Sequence, residues 1–261
     1  HVLVVDSEKD FGYSNCHFWR LQDLKHEQVA DKIIRKYKHK TDKLRWCMKP
    51  VFMKFLLEAE TEKIIYTDND LFFYSDYQFL FDLLNQNSFL LTPHHYKYNA
   101  QKEQNWLEAN FRVGLFNAGF VGANKKALTT LQWWAECCAY RCEKNSWRGL
   151  FDDQKYLDLI PVIEKDAHIV RHKGCNVASW NKEVCERKMV NGELRIAEIF
   201  PVVFIHFNPF TIREISERRD ELLQPLYELY ERALSTHKPD LKRGDLYQSE
   251  PVIEKLKYLY I

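Results

Sequence analysis

Two carboxylates one residue apart interrupt the apolar stretch Lys63-Ile64-Ile65-Tyr66-Thr67-Asp68-Asn69-Asp70-Leu71-Phe72-Phe73. The first apolar run is rich in β-branched and aromatic residues and follows a polar segment, which predicts a buried strand. Side chains alternate along a strand, so we expect Asp68 and Asp70 to share one face at its end. Two neighbouring acids repel unless a cation lies between them, and such oxygen ligands suit Mg²⁺ or Mn²⁺. An ordinary Asp-Asn-Asp turn is the alternative.

The composition is that of a globular chain with almost no net charge. Of its 261 residues 46% are hydrophobic, which is enough to bury a large core in one domain. The 38 basic residues balance 37 acidic ones, so nucleic acid is not an expected partner. No apolar run approaches the roughly 20 residues of a membrane span, and we expect no leader peptide. Seven cysteines without Cys-x-x-Cys spacing are typical of a reducing compartment, so we expect a soluble cytoplasmic protein.

Strand-like and helix-like patterns alternate through the first half of the chain. Pro50 fits the first position of one helix, where a missing N–H costs nothing. This alternation predicts an α/β fold with a mostly parallel central sheet and flanking helices. The predicted strands are residues 1–6, 16–21, 63–67 and 89–93, and the predicted helices are residues 28–38, 50–60 and 77–85.

Glycines and small residues interleave with apolar ones at residues 114–123. In a strand this pattern often marks close approach of the backbone to a ligand, and Asn117 offers an amide either to a hydroxyl-rich ligand or to a turn. An aromatic helix follows at residues 125–141 and is expected to be core. The adjacent pair His94 and His95 is interpreted as surface or pocket histidines, because neighbours on a strand point to opposite sides.

Two later segments place polar groups at the ends of predicted elements. Asp152, Asp153 and Gln154 stand at a predicted helix start, where one acid is expected to cap the helix while another faces a pocket. His206 directly follows an apolar strand at residues 200–205. A histidine in this place is either a plain surface residue or, if a metal is nearby, one of its ligands.

Four of these segments resemble, in the same order, the motifs of nucleotide-sugar glycosyltransferases of the GT-A fold. Residues 66–70 resemble the Asp-x-Asp motif, and residues 116–120 resemble the Asn-Ala/Ser-Gly strand. Residues 152–154 resemble the Asp-Gln helix start, and residues 206–207 the late metal-binding histidine of the glycogenin and lipopolysaccharide galactosyltransferase group. Trp180-Asn181 and the helix with Trp133-Trp134 look more like bacterial surface-polysaccharide transferases than glycogenin itself. The resemblance covers most of the chain and implies a GT-A, Rossmann-like α/β fold.

The resemblance implies a metal-dependent, hexosyltransferase-type enzyme. Such an enzyme moves a sugar from a nucleoside-diphosphate sugar, by default a UDP-sugar, to a hydroxyl of a glycan or glycolipid acceptor. The expected setting is bacterial surface-polysaccharide or lipopolysaccharide synthesis, with retention of the donor's anomeric configuration. If Asp152 or Asp153 acts instead as a general base on the acceptor, inversion becomes the alternative.

The same resemblance assigns roles to individual residues. Asp68, Asp70 and His206 would bind Mn²⁺ or Mg²⁺, which stabilises the negative charge gained by the leaving pyrophosphate. Lys49 stands at a predicted helix start and is either a donor-binding residue or a solvated lysine. Arg213 is displaced by about one position from the lysine usual in the group. The assigned donor and substrate contacts are Lys49, Asp68, Asn117, Ala118, Gly119 and Arg213, and the assigned catalytic residues are Asp152, Asp153 and Gln154.

We predict a single glycosyltransferase domain over residues 1–261, with a GT-A core at residues 1–210 and a helical C-terminal extension at residues 211–261. The basic, aromatic residues 253–261 weakly favour packing on the body or peripheral contact with the inner face of a membrane. Residues 1–6 resemble the second strand of GT-A enzymes better than their first. We therefore expect the base-binding strand to be absent from the sheet or replaced.

Two other classes of protein share part of this pattern. A metal-dependent phosphohydrolase or glycosidase would use the same paired carboxylates, but it gives the Asn-Ala-Gly strand and the Asp-Gln segment no role. A non-catalytic GT-A-like binding module would retain the fold after losing its donor site. The order of the four motifs favours the transferase.

Overall fold

The computed structural model describes residues 1–7 and 12–237, so the predicted contact of residues 253–261 with a membrane lies outside the described residues. The prediction of an α/β fold is confirmed. The helices of the described ranges are α1 (Gln28–Tyr37), α2 (Thr41–Ala59), α3 (Gln78–Gln86), α4 (Gln104–Arg112), α5 (Leu128–Tyr140), α6 (Ile160–Ile163), α7 (Pro209–Ser216) and α8 (Gln224–His237). The strands are β1 (Val2–Val4), β2 (Phe18–Arg20), β3 (Lys63–Thr67), β4 (Leu71–Phe73), β5 (Phe89–Pro93), β6 (Phe116–Asn124), β7 (Lys144–Asn145), β8 (Leu150–Phe151), β9 (Ala167–Ile169), β10 (Arg187–Val190), β11 (Glu193–Ile196), β12 (Phe200–Pro201) and β13 (Phe204–His206).

The largest sheet has four strands in the order β3-β6-β5-β9. Every residue of β6 is buried, as its run of small and apolar residues predicts. β1 pairs in parallel with β2 in a two-stranded sheet of their own, and three further small sheets join β4 to β13, β7 to β8, and β10 to β11 and β12. The small sheets other than β1-β2 are antiparallel.

The chain falls into two compact units. The first contains His1–Tyr66, Phe81–Leu91 and Val121–His168, and in it α1, α2 and α5 pack on one another. The second contains Thr67–Leu80, Thr92–Phe120 and Ile169–Ile261, described as far as residue 237. Its core is a cluster of apolar residues built largely from the segments that flank β13 and from α7 and α8, namely Val177, Cys185, Ile196, Val202, Ile205, Phe207, Ile212, Ile215, Leu223, Tyr227 and Tyr230.

Helix α2 corrects one sequence-based prediction. It begins at Thr41 and runs through Pro50, which we had expected to open the helix. A proline inside a helix removes one backbone hydrogen bond at a cost of about 3 kcal/mol. Leu44 before the proline and Leu56 after it are both buried, so packing along the whole helix offsets that cost. Lys49 consequently lies in the interior of a buried helix and not at a helix start.

Two predicted strands also differ in extent from the observed ones. The segment predicted at residues 16–21 is a strand only over Phe18–Arg20, because a 3-10 turn begins at Leu21. The apolar run at residues 200–205 divides into β12 and β13, which pair with different partners, β11 and β4. A continuous apolar run indicates burial along its length but carries no information about which neighbour each part will pair with.

The two adjacent tryptophans of α5 provide a test of this packing. Trp134 is fully buried and its Nε1 donates to the backbone oxygen of Asp153 at 2.8 Å, whereas Trp133 is half-buried at the edge of Tyr156. We expect Trp134→Ala to lower the free energy of unfolding by about 3–5 kcal/mol, as the loss of a buried aromatic side chain does. Trp133→Ala should cost about 1–2 kcal/mol. Urea unfolding followed by circular dichroism measures both, and equal losses would contradict the assignment of Trp134 to the core.

Candidate active site

The pairing of β4 with β13 brings residues from distant parts of the chain together within the second unit. His206 lies opposite Leu71 in the antiparallel register, and the backbone N–H of Phe207 donates to the oxygen of Asp70 at 2.8 Å. The N–H of His206 donates to Val177 at 2.9 Å. The imidazole of His206 is thereby fixed beside the carboxylate of Asp70, with 3.0 Å between Nε2 and Oδ1.

Asp68 completes a group of three possible metal ligands. One oxygen from Asp68, one oxygen from Asp70 and one ring nitrogen from His206 all lie within 4.8 Å of one another. His206 is buried, and the side chain of Asp70 keeps 30% of its surface exposed. This group contains the two acids of residues 63–73 and the histidine to which the resemblance assigned metal binding.

The donor set fits a divalent cation of the expected kind. Carboxylate oxygens suit Mg²⁺ and Mn²⁺, and a single imidazole shifts the preference toward Mn²⁺. Ligands bonded to a cation at about 2.1 Å lie roughly 3–4 Å apart, so the three groups need only small adjustments to reach that spacing. Bringing two half-buried carboxylates and a buried histidine together also costs less when a cation neutralises the acids.

Strand β6 supports this group from one side. The N–H of Asp68 donates to the oxygen of Gly119 at 2.8 Å, which ties the end of β3 to β6. Asn117 Oδ1 accepts from the N–H of Gly119 at 2.6 Å, so this side-chain oxygen has a local structural partner. A Cβ on Gly119 would meet Asn117 Oδ1 at 2.6 Å, His206 Cε1 at 2.7 Å and Asp68 Oδ2 at 3.0 Å. Glycine is therefore required by the space that the candidate ligands occupy.

Aromatic residues surround His206 on another side. The ring of Trp180 meets the imidazole of His206 edge-on, with centroids 5.3 Å apart, and its Nε1 donates to the oxygen of His94 at 3.1 Å. Burial lowers the pKa of His94 to about 3, so its ring is neutral and Nδ1–H donates to Gly114 at 2.9 Å. His94 also stacks on Tyr96. Neither Trp180 nor His94 was predicted to position a ligand, since neither belongs to a ligand motif.

Within the first unit, Lys49 and Asp153 form a buried ion pair. Their side chains are 4% and 5% exposed, and Lys49 Nζ lies 3.2 Å from Asp153 Oδ2. The same ammonium group lies 5.1 Å from the centre of the Tyr66 ring, within cation–π distance. The alternative of a solvated helix-end lysine is therefore wrong for Lys49. Two residues assigned separately by resemblance prove to be direct partners.

Asp152 belongs to the same segment but has a different partner. It follows β8 with a left-handed backbone, φ +49°, and its Oδ2 lies 3.5 Å from Lys144 Nζ. Burial raises the pKa of the Asp152 carboxyl, and Lys144 opposes that shift. Gln154 precedes the 3-10 helix Lys155–Leu159, which continues into α6, so a helical segment starts close to where we predicted a helix start. The residue at the N-cap is Gln154, and its own side chain makes no capping hydrogen bond.

Arg213 lies on α7, the helix that begins shortly after His206. Asn208 caps the helix through a hydrogen bond from Thr211 N to its Oδ1, and Pro209 takes the first helical position. The Arg213 guanidinium packs over the ring of Phe210 at 5.6 Å. This cation belongs to the same unit as the candidate metal ligands, and its predicted phosphate contact stays a prediction.

Replacing Gly119 tests the tight packing around the candidate ligands. Gly119→Ala should weaken Mn²⁺ binding at least about tenfold, because its methyl group displaces His206 or Asp68 from the shared position. Gly122→Ala, in the same strand, is the control, since its Cβ would meet only the side chain of Leu90, at 3.0 Å. Electron paramagnetic resonance titration of Mn²⁺ measures both affinities. Equal affinities for the two variants would refute the proposed crowding.

The buried pair is tested by a double-mutant cycle. We expect Lys49→Met to cost about 3–5 kcal/mol of unfolding free energy, because it leaves a carboxylate in a buried place. Asp153→Leu should recover part of that loss in the double variant. The exposed helix pair of Arg35 with Asp31 serves as control, with a coupling of at most about 0.5 kcal/mol. A coupling equally small for Lys49 with Asp153 would show that the ion pair is not formed.

Comparison with known proteins identifies the family. Residues 4–163, more than half of the chain, match glycosyl transferase family 8. Two proteins of Bacillus subtilis (strain 168) are similar. The uncharacterized protein YfnF is 27% identical over 222 residues, covering 83% of this chain and 73% of YfnF. The uncharacterized protein YfnD is 30% identical over 194 residues, covering 72% of this chain and 60% of YfnD.

One solved structure is also similar to this chain. The apo form of mouse xyloside xylosyltransferase 1 is similar over 72% of this chain and 73% of its own, with a TM-score of 0.38 and 16% identity. In the described ranges no helix is long and apolar enough to cross a membrane. The family match confirms the predicted glycosyltransferase, and the chain belongs to glycosyl transferase family 8.

Proposed function

We propose that this chain is a metal-dependent glycosyltransferase that moves a sugar from a nucleoside-diphosphate sugar to a hydroxyl of a glycan or glycolipid acceptor. The observation that carries the proposal is the convergence of Asp68, Asp70 and His206 at one place in the second unit. A UDP-sugar is the default donor, and Mn²⁺ is preferred over Mg²⁺ because the set contains an imidazole. The proposed enzyme retains the anomeric configuration of the donor. It acts in the cytoplasm, in the synthesis of bacterial surface polysaccharide.

The residues of the second unit would hold the diphosphate end of the donor. Asp68, Asp70 and His206 would hold a divalent cation, which would supply positive charge where the leaving diphosphate gains negative charge. Asp68 is oriented by its backbone bond to Gly119, and His206 by the β4–β13 pairing, so these groups are fixed before substrate arrives. Arg213, on the helix that follows His206, supplies a further cation for phosphate oxygens.

The sugar and the acceptor are assigned to Asn117, Asp152, Asp153 and Gln154. Asp153 forms an ion pair with Lys49, which holds its carboxylate in one orientation. A carboxylate held in this way is better suited to binding than to proton transfer. Asp152 has a raised pKa and a partly exposed partner, Lys144, and is the better candidate for accepting or holding a proton near the acceptor. Asn117, whose oxygen is already used by Gly119, would contribute its amide hydrogens.

The two competing classes of function make different demands on ligand binding. A hydrolase would be stabilised by its metal but would transfer no sugar, and it would cleave a phosphate or glycosidic bond with water alone. A binding module without a donor site would gain no stability from nucleotides. Thermal unfolding of the wild-type protein with Mn²⁺, EDTA, UDP and a panel of nucleoside-diphosphate sugars distinguishes these cases. We expect stabilisation by UDP only when Mn²⁺ is present.

The central test is the removal of one candidate ligand. Asp70→Ala should reduce sugar transfer by at least about 100-fold, because the leaving diphosphate loses a charge-stabilising partner. The cost in stability should stay near 1 kcal/mol, since the carboxylate is partly exposed. Asp76→Asn is the matched control, because its exposed side chain caps Gln78 N through an oxygen that the amide retains. Transfer assays with radiolabelled donor measure both variants, and full activity of Asp70→Ala would refute the assignment.

A further inference from the structure

A short hairpin in the first unit presents an exposed tryptophan immediately before the candidate catalytic acids. Strands β7 and β8 pair with Lys144 opposite Phe151, and a 3-10 turn connects them. Asn145 Oδ1 accepts from the N–H of Arg148 at 3.2 Å, and Gly149 closes the turn in the left-handed conformation, φ +64°. The turn therefore has its own hydrogen bonds and a defined shape.

The tip of this hairpin carries an indole ring in water. Trp147 is 97% exposed, the highest value among the large apolar side chains of the described residues. Tyr140, at the end of α5, is 67% exposed a few residues earlier. An indole ring in solvent on a fixed turn contributes nothing to the core, and its combination of an apolar face with a polar N–H suits it to binding surfaces.

The base of the hairpin connects this ring to the candidate acid Asp152. Lys144 Nζ lies 5.3 Å from the ring centre of Trp46 and 5.1 Å from that of Phe151, and it pairs with Asp152 at 3.5 Å. Strand residues advance about 3.3 Å each, so two paired positions separate the tip from the acid by roughly 7–10 Å. Along the hairpin an exposed aromatic ring is followed by a cation held between rings and then by a carboxylate.

We propose that this hairpin surface, formed by Trp46, Lys144, Trp147 and Phe151, binds the acceptor glycan through sugar units that follow the reacting hydroxyl. A pyranose ring has an apolar face of C–H groups that packs on an indole ring, while its hydroxyls bond with ammonium and carboxylate groups. Trp147 would pack against a sugar unit away from the reaction, and Lys144 would bond with one nearer to Asp152. The inference rests on the proposed transferase function and names a binding site for its acceptor.

The charges of the hairpin favour a carbohydrate over a membrane surface. Recognition of anionic lipids requires a cluster of about four to eight lysines and arginines. Here Lys144 is paired with Asp152, and Arg141 is paired with Glu143 at 3.2 Å. Arg148 is the third cation of residues 141–152, so the segment has fewer cations than such a cluster and two of the three are paired with its own acids.

The test measures glycan binding without metal or nucleotide. The full chain in EDTA is applied to a printed array of oligosaccharides containing glucose, galactose, mannose, rhamnose and N-acetylhexosamine. We expect the wild-type protein to bind at least one group of related glycans and Trp147→Ala to weaken that binding at least about tenfold. Trp147→Phe, which retains an aromatic ring, should remain within about threefold of wild type. Phe111→Ala, which removes a 67% exposed aromatic ring from the second unit, is the control and should bind normally.

Several outcomes would overturn the inference. These are no binding of the wild-type chain to any glycan, equal binding by Trp147→Ala, or a loss in Trp147→Ala that appears only with vesicles of phosphatidylglycerol. Stabilisation of the wild-type chain by UDP and Mn²⁺, measured separately, reports on the proposed function. A chain that responds to UDP and Mn²⁺ but binds no glycan retains the transferase proposal and loses this one.

Discussion

The antiparallel pairing of β4 with β13 is the constraint on which the candidate metal site depends. Hydrogen bonds close the pairing at both ends, from Tyr74 N to Val203 and from Phe207 N to Asp70, each at 2.8 Å. A slip of one residue would turn His206 to the opposite face, because side chains alternate along a strand. The positions of the candidate ligands therefore depend on this register. Burial of the flanking apolar residues stabilises the register.

Close packing around the candidate ligands explains why β6 has a glycine at position 119. Asp68 is joined to Gly119 through the backbone, while the space that a side chain would need at Gly119 is taken by the candidate ligands. A carboxylate can approach a strand this closely only where the strand has no Cβ. In the first unit, the charged groups of Lys49 and Asp153 are held in place by a different means, because the two side chains are buried together as an ion pair. A buried pair of this kind contributes more to a defined arrangement than to stability.

The sequence contains the local part of this information and lacks the long-range part. The spacing of the two acids was enough to predict that Asp68 and Asp70 act together, and both belong to the observed ligand group. They lie in the turn between β3 and β4 and not on a strand, so the expected alternation is not what brings them together. His206 could be joined to them only through a family resemblance, because no periodicity encodes a pairing between strands so far apart in the chain. Lys49 was misplaced because Pro50 reads as a helix start, and only tertiary packing shows that α2 continues through it.

Asp152 shows how local backbone geometry can prepare a side chain that the sequence leaves ambiguous. Its N–H donates to Glu143 at 3.1 Å, which ends the hairpin, and its left-handed φ turns the chain toward the following 3-10 turn. Asp tolerates this conformation better than most residues, so the strain is modest. The turn leaves the carboxyl buried, which raises its pKa, while the β7–β8 register brings Lys144 close enough to oppose that shift. The backbone turn therefore sets the pKa of this carboxyl by burying it, which raises the pKa, and by leaving it near Lys144, Lys43 and Lys49, which lower it.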